Sequence, residues 1–174
     1  MHSKLDHHVA VYPGTFDPVH NGHLDVIDRG RRIFDRLIVA VGTNPDKAPF
    51  FSQDQRVEHL QKVIESEKFS NVTVQKFSGL AVSFVRGVGA RVMLRGLRTT
   101  SDMENEFTMS LMNLNLDPEI ETVFLMASEA HSQLSSSLLR QIATFGGDLT
   151  PFLPAPVKAA LEERVRERKA GNKP

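Results

Sequence analysis

Cysteine is absent from the 174-residue sequence. Disulfides, thiolate catalysis and cysteine–zinc sites are therefore excluded. Net charge is absent as well, with 21 Lys+Arg against 21 Asp+Glu. A dedicated nucleic-acid binder depends on a basic surplus, so that class is disfavoured and no nucleic-acid partner is expected. A small anionic ligand needs only local positive charge and stays open. No apolar run approaches the roughly 20 residues of a membrane span. The opening Met1–His8 has no apolar h-region, so no secretory signal is expected, and His7 and His8 receive no role. A cytoplasmic protein without membrane contact is the expectation. No internal repeat, low-complexity segment or linker interrupts the chain. A single domain over residues 1–174 is expected, ending in a helix and a frayed polar tail from 157.

What is present is an alternation of apolar bursts and helical patterns. Strands are predicted at Val9–Val11, Leu37–Val41, Asn71–Gln75, Arg91–Leu94 and Glu121–Met126. Helices are predicted from Leu24 through Phe34, from an N-cap at Ser52 through Ile64, over Leu80–Val88, Met103–Leu116, Ser136–Phe145 and Val157–Arg168. Five strands alternating with helices make an α/β protein with one doubly wound, five-stranded parallel sheet.

The stretch Tyr12–His23 lies between the first strand and the first helix. Pro13, Gly14, Pro18 and Gly22 punctuate it, and Asn21 is a plausible N-cap. Strand-to-helix turns at the carboxyl ends of parallel strands are where α/β folds take ligands. Free N–H groups and the helix dipole there favour an anion. His20 and His23, three apart, can face one spot. The functional reading is a phosphate site; the bland one is a turn that carries two histidines. A metal site lacks a third obvious ligand.

Four more constellations fall at or beyond predicted strand ends. Lys47 lies in the loop after the second strand, where a lysine is as often solvated as functional. Arg95-Gly96-Leu97-Arg98 is expected directly after the fourth strand, where two arginines suit a grip on phosphate oxygens. The alternative is an arginine ion-paired with Asp102 or Glu106. Asp102, Glu104 and Glu106 open the next helix, where acidic residues are ordinary dipole partners. Ser128–Ser137 follows the fifth strand, and its serines suit either phosphate binding or simple capping.

Thr15-x-Asp17-Pro18-x-His20-x-Gly22-His23 resembles the HxGH signature of the nucleotidyltransferase superfamily. With Tyr12-Pro13-Gly14 before it, the match is specifically to the bacterial phosphopantetheine adenylyltransferases, and it extends over roughly residues 9–160. The resemblance implies a Rossmann-like nucleotidyltransferase fold. It implies adenylyl transfer from ATP to 4′-phosphopantetheine, giving dephospho-coenzyme A and pyrophosphate. His23 would stabilise the transition state, with Thr15, Lys47 and Arg98 as its catalytic companions. Thr15, Phe16, His20, Gly96, Leu97, Arg98, Glu106, His131, Ser132, Gln133, Leu134, Ser135, Ser136 and Ser137 would bind ATP together with His23. Thr15, Lys47, Leu80, Ala81 and Arg95 would hold the acceptor.

The same resemblance implies Mg²⁺ on the phosphates, feedback binding of coenzyme A and a homohexamer. Met109, Leu111, Met112 and Leu114 cover more than one helix face and suit either a subunit contact or core. His131 stands where the family has an aromatic, and Ala81 where it has a bulkier apolar residue. Rival readings are another HxGH transferase, such as a nicotinate-mononucleotide adenylyltransferase, and a non-catalytic nucleotide sensor.

Overall fold

The computed structural model describes residues 4–43 and 48–171. Its sheet holds β1 (Asp6–Gly14), β2 (Arg36–Val41), β3 (Val72–Lys76), β4 (Ala90–Leu97) and β5 (Glu121–Met126). The order is β3-β2-β1-β4-β5, with every pair parallel. The helices are α1 (Asn21–Ile33), α2 (Gln53–Ser66), α3 (Ala81–Gly87), α4 (Thr100–Leu116), α5 (Ser136–Thr144) and α6 (Ala155–Gly171), with a 3-10 turn at Glu129–His131.

The near-continuous apolar runs of β1 and β2 exist because both sheet faces are covered. Alternate residues divide between two cores. Ala10, Leu37, Val39 and Leu94 pack with Ile27, Leu60, Leu139 and Leu161 of α1, α2, α5 and α6. Val9, Val11, Ile38, Ala40 and Met93 pack with Val82 and Val85 of α3. Helix α4 contributes no buried residue among those described, and Met103, Phe107, Met109, Leu111, Met112, Leu114 and Leu116 are exposed along it. The core alternative for Met109, Leu111, Met112 and Leu114 therefore fails.

Several boundaries differ from the sequence reading. Strand β4 runs on through Leu97, because Arg95, Gly96 and Leu97 pair with Phe124, Leu125 and Met126 of β5. The arginine block thus begins inside the strand and only Arg98 lies beyond it. Helix α1 is capped by His20, with extended φ −142° and ψ 170°. Asn21 instead ties the helix to the segment before α6, its N–H donating to Phe152 O at 2.9 Å and its Nδ2 to Pro151 O at 3.0 Å. Ile33 faces solvent, and Val26 and Ile27 carry the buried face in its place. Ser52 does cap α2, its Oγ accepting from Gln55 N–H at 3.2 Å while Gln55 Oε1 accepts from Ser52 N–H at 3.0 Å. The expected frayed tail is helical through Gly171.

Candidate active site

The strand order reverses between β1 and β4. Their carboxyl ends mark the topological switch point, where open α/β sheets leave a crevice for ligands. Pro13, Gly14 and Thr15 come to it from β1, Arg95 and Gly96 from β4, and the N-termini of α1 and α5 close it.

Gly96 lets α1 approach: a Cβ there would lie 2.9 Å from Val26 Cγ2. Phe16 takes a left-handed backbone, φ 49°, at a cost of roughly 1–2 kcal/mol for a residue with a Cβ. Burial holds it there, its ring edge-on to Tyr12 at 5.4 Å and to His23 at 4.9 Å. His23 stacks on His20 with ring centroids 3.7 Å apart. A Cβ at Gly22 would stand 3.1 Å from the His20 ring, so glycine leaves that imidazole its place.

His23 Nδ1 accepts the His20 backbone N–H at 3.2 Å. The neutral ring then carries its own proton on Nε2, a donor for an anion. Burial first, then the nearby His20, Arg98 and Arg95, holds His23 well below the usual imidazole range. Burial, Arg98 and His131 push His20 down to about 3. Both rings are neutral at physiological pH. Nδ1 of His20 is buried without a hydrogen-bond partner. Burial also raises Tyr12 to about 12, so its phenol stays protonated.

Both arginines are already held. Arg95 Nε donates to Glu106 Oε2 at 2.7 Å and its Nη2 to the other carboxylate oxygen, while Nη1 donates to Pro13 O at 2.5 Å. Arg98 Nε donates to Asp102 Oδ2 at 2.8 Å and Nη2 to Oδ1 at 3.2 Å, and Nη1 reaches Leu134 O. The ion-pair alternative is therefore realised for both. It does not disable them: a guanidinium has five N–H donors, so each fork is oriented with two to spare.

The serines divide their work. Ser135 Oγ caps α5 by accepting Leu138 N–H at 3.2 Å, and Ser136 Oγ donates to Pro18 O at 2.8 Å. The first turn of α5 is thereby fixed to the histidine loop. Ser137 Oγ accepts from Arg140 Nη2 at 3.4 Å.

Two cavities open here. One, of about 280 Å³, is walled by Thr15, Phe16, His20, Gly22, His23, Gly96, Arg98, Glu106, His131 and Ser135–Ser137 among others. The second, of about 460 Å³, is walled by Leu80 and Ala81 together with Phe77, Met93, Met109 and Asn113. Pro13, Gly14, Thr15, Arg95 and Glu106 line both. The polar cavity suits a polyphosphate; the second, with its apolar walls, suits a longer aliphatic arm. Leu97, Ser132, Gln133 and Leu134 line neither: Leu97 and Leu134 are buried, and Leu134 serves through its carbonyl on Arg98. Lys47 lies outside the described residues.

The cytidylyltransferase-like family model matches residues 11–142. A phosphopantetheine adenylyltransferase from Heliobacterium modesticaldum is 47% identical over 166 residues, covering 95% of this chain and 98% of that protein. One from Thioalkalivibrio sulfidiphilus is 49% identical over 157 residues, covering 90% and 98%. The chain belongs to the phosphopantetheine adenylyltransferase family. Among solved structures, a bifunctional NMN adenylyltransferase/ADP ribose pyrophosphatase from Francisella tularensis superposes with a TM-score of 0.71 at 15% identity. That match covers 94% of this chain and 53% of the other, and it shows a shared fold.

Within this phosphopantetheine adenylyltransferase family member, sequence reasoning missed the supports beneath the site. Asp17 is buried, and its carboxylate accepts Phe50 N–H at 2.7 Å and Phe51 N–H at 2.9 Å, while its backbone carbonyl accepts from Arg140. Its place inside the motif was a signal, since a carboxylate in a turn of backbone donors is expected to accept from them. Phe77 and Asn113 gave none, because an apolar or amide residue on an unremarkable element looks the same whether it lines a cavity or faces solvent; Met109 reads in the sequence only as a subunit contact or core, not as a cavity wall.

Proposed function

We infer that this family member transfers the adenylyl group of ATP to 4′-phosphopantetheine, releasing dephospho-coenzyme A and pyrophosphate in coenzyme A biosynthesis. The observation that carries the reading is the pair of cavities meeting at Thr15 and Arg95, in a chain nearly half identical to adenylyltransferases over almost their whole length.

The acceptor's phosphate is already ionised, so no strong general base is needed. One of its oxygens attacks the α-phosphorus of ATP in line, and the bond from that phosphorus to the bridging oxygen of the β-phosphate breaks. Positioning and preorganised donors carry such a displacement. Nε2–H of His23 and Thr15 face the α-phosphate, where negative charge builds. His20 and Gly22 at the start of α1 hold the nucleotide phosphates. Arg98 and the first turn of α5, Ser135–Ser137, receive the departing pyrophosphate. Arg95 places the attacking phosphate, a role the family resemblance also implies for Lys47, while Leu80 and Ala81 bound the pantetheine arm.

Mg²⁺, when bound, would neutralise phosphate charge on the nucleotide. Asp102 and Glu106, the carboxylates on the polar cavity wall, are engaged by Arg98 and Arg95. With both carboxylates so engaged, a bound Mg²⁺ would be held chiefly through substrate phosphate oxygens and water. The cytoplasm is the compartment this reading assigns, and no described helix is long and apolar enough to cross a membrane. Coenzyme A, which carries both halves of the product, is the feedback ligand proposed for the same pair of cavities. The exposed apolar row of α4 supports self-association, with a hexamer as the assembly proposed.

Pyrophosphate release with ATP, Mg²⁺ and either 4′-phosphopantetheine or nicotinate mononucleotide tests the reading. Turnover with phosphopantetheine alone is expected. Turnover with the mononucleotide alone, or ATP binding without turnover on either, overturns it.

A further inference from the structure

Arg56 lines neither cavity and has no part in the reaction as drawn, yet it is a cation only 3% exposed. It lies in the first turn of α2. Burial lowers its pKa from the ordinary arginine value, and the charge of Asp17 acts the other way. Its hydrogen-bond partners are carbonyls. Nη1 donates to Thr15 O at 2.5 Å and to Gly42 O at 2.8 Å, and Nε donates to Ser52 O, at the cap of its own helix, at 3.4 Å.

The two strand-end carbonyls share a place. Gly42 N–H donates to Gly14 O at 2.8 Å, continuing the β1–β2 ladder one residue past its last register pair, Gly14 with Val41. Beyond that rung the chains part. Thr15 turns toward the histidines, and Gly42 leaves toward the loop before α2. One nitrogen of Arg56 bonds both carbonyls at the fork. Thr15 is also among the residues common to both cavity walls, the point where the two reactants would touch.

Resting on the adenylyl-transfer reading, we propose that Arg56 is a positioning residue: by holding the carbonyls of Thr15 and Gly42 it fixes Thr15 where the acceptor phosphate meets the α-phosphate of ATP. A guanidinium is suited to this because its donors diverge from one rigid plane. An ammonium on a flexible stem keeps the charge and loses that geometry. Misplacing a reacting group by about 1 Å can cost on the order of 10²-fold in rate.

The test is steady-state kinetics of Arg56→Lys and Arg56→Met beside the wild type, with thermal melting of each. Arg86→Met is the control, since it breaks the ion pairs of Arg86 on α3 with Asp117 and Glu119 after α4, away from the fork. We expect kcat to fall about 10- to 100-fold in both Arg56 variants, with KM for both substrates within about threefold. The control should keep its kcat whatever its melting loss. Arg56→Lys with wild-type kcat overturns the proposal, as does a rise in KM with kcat unchanged. So does failure of both variants to fold, which would make Arg56 a core residue and nothing more. A wild type without turnover overturns the functional reading, and this proposal with it.

Discussion

His23 is the residue on which the chemistry converges. Its Nδ1 is spent on the His20 backbone, its ring is wedged between Phe16 and His20, and only Nε2–H is left for a ligand. His23→Ala should lower kcat by on the order of 10²–10³, the usual effect of removing one preorganised donor, while circular dichroism shows the fold retained. Turnover at the wild-type rate would remove His23 from the mechanism. The neutral state of both histidines has a second consequence. Unfolded, they titrate near 6.5, whereas in the fold His20 is pushed down to about 3 and His23 well below its ordinary value. Between those limits the unfolded chain binds protons that the folded chain refuses. Their contribution to stability is complete above about 6.5 and is lost as pH falls toward 3. Melting temperatures of the ligand-free protein should drop over that window, and less steeply in His20→Asn; equal slopes in the two proteins would contradict the assignment.

At the scale of elements, α3 is the wall of the second cavity, and its first residue, Ala81, sets the room available. Ala81→Phe should raise KM for phosphopantetheine about tenfold or more, since overpacking costs roughly 1–3 kcal/mol. ATP binding, measured by calorimetry, should stay near wild type; equal losses for both ligands would show that the two cavities are not separate compartments. The elements themselves were largely legible. Apolar runs and Ser, Pro and Gly punctuation marked the five strands and six helices among the described residues, because burial on two faces leaves a continuous apolar signature. The end of β4 was not legible. Arginine and glycine carry no strand signal, and pairing with β5 is a non-local fact. The cap of α1 moved from Asn21 to His20 for a similar reason: Asn21 is drawn to the carbonyls of Pro151 and Phe152, far along the chain. Within the site, motif residues were visible as types in a spacing. Arg56 was not, since a lone arginine on a helix reads as solvated until the fold closes over it.

For the whole molecule, α4 is the anomaly. A helix of 17 residues with Phe107 at 58% exposed and Met103, Met109, Met112 and Leu116 bare beside it presents an apolar row of the kind that marks an interaction surface. Light scattering should give a mass that is a multiple of the 19.4 kDa chain. Phe107→Glu should shift the distribution toward smaller species, because a carboxylate buried in such a contact lacks a partner. A 19.4 kDa particle for the wild type would dispose of the assembly.

The wall shared by the two cavities reaches further than bringing the reactants together. Once the new bond forms, one molecule occupies both compartments, and each end is tethered at high effective concentration to its own subsite. The joined product is then a bivalent ligand of the site that made it, whereas pyrophosphate holds at one end only. Letting go of the product would then share with bond formation in setting the pace of turnover, and rapid mixing should reveal a first turnover faster than those that follow.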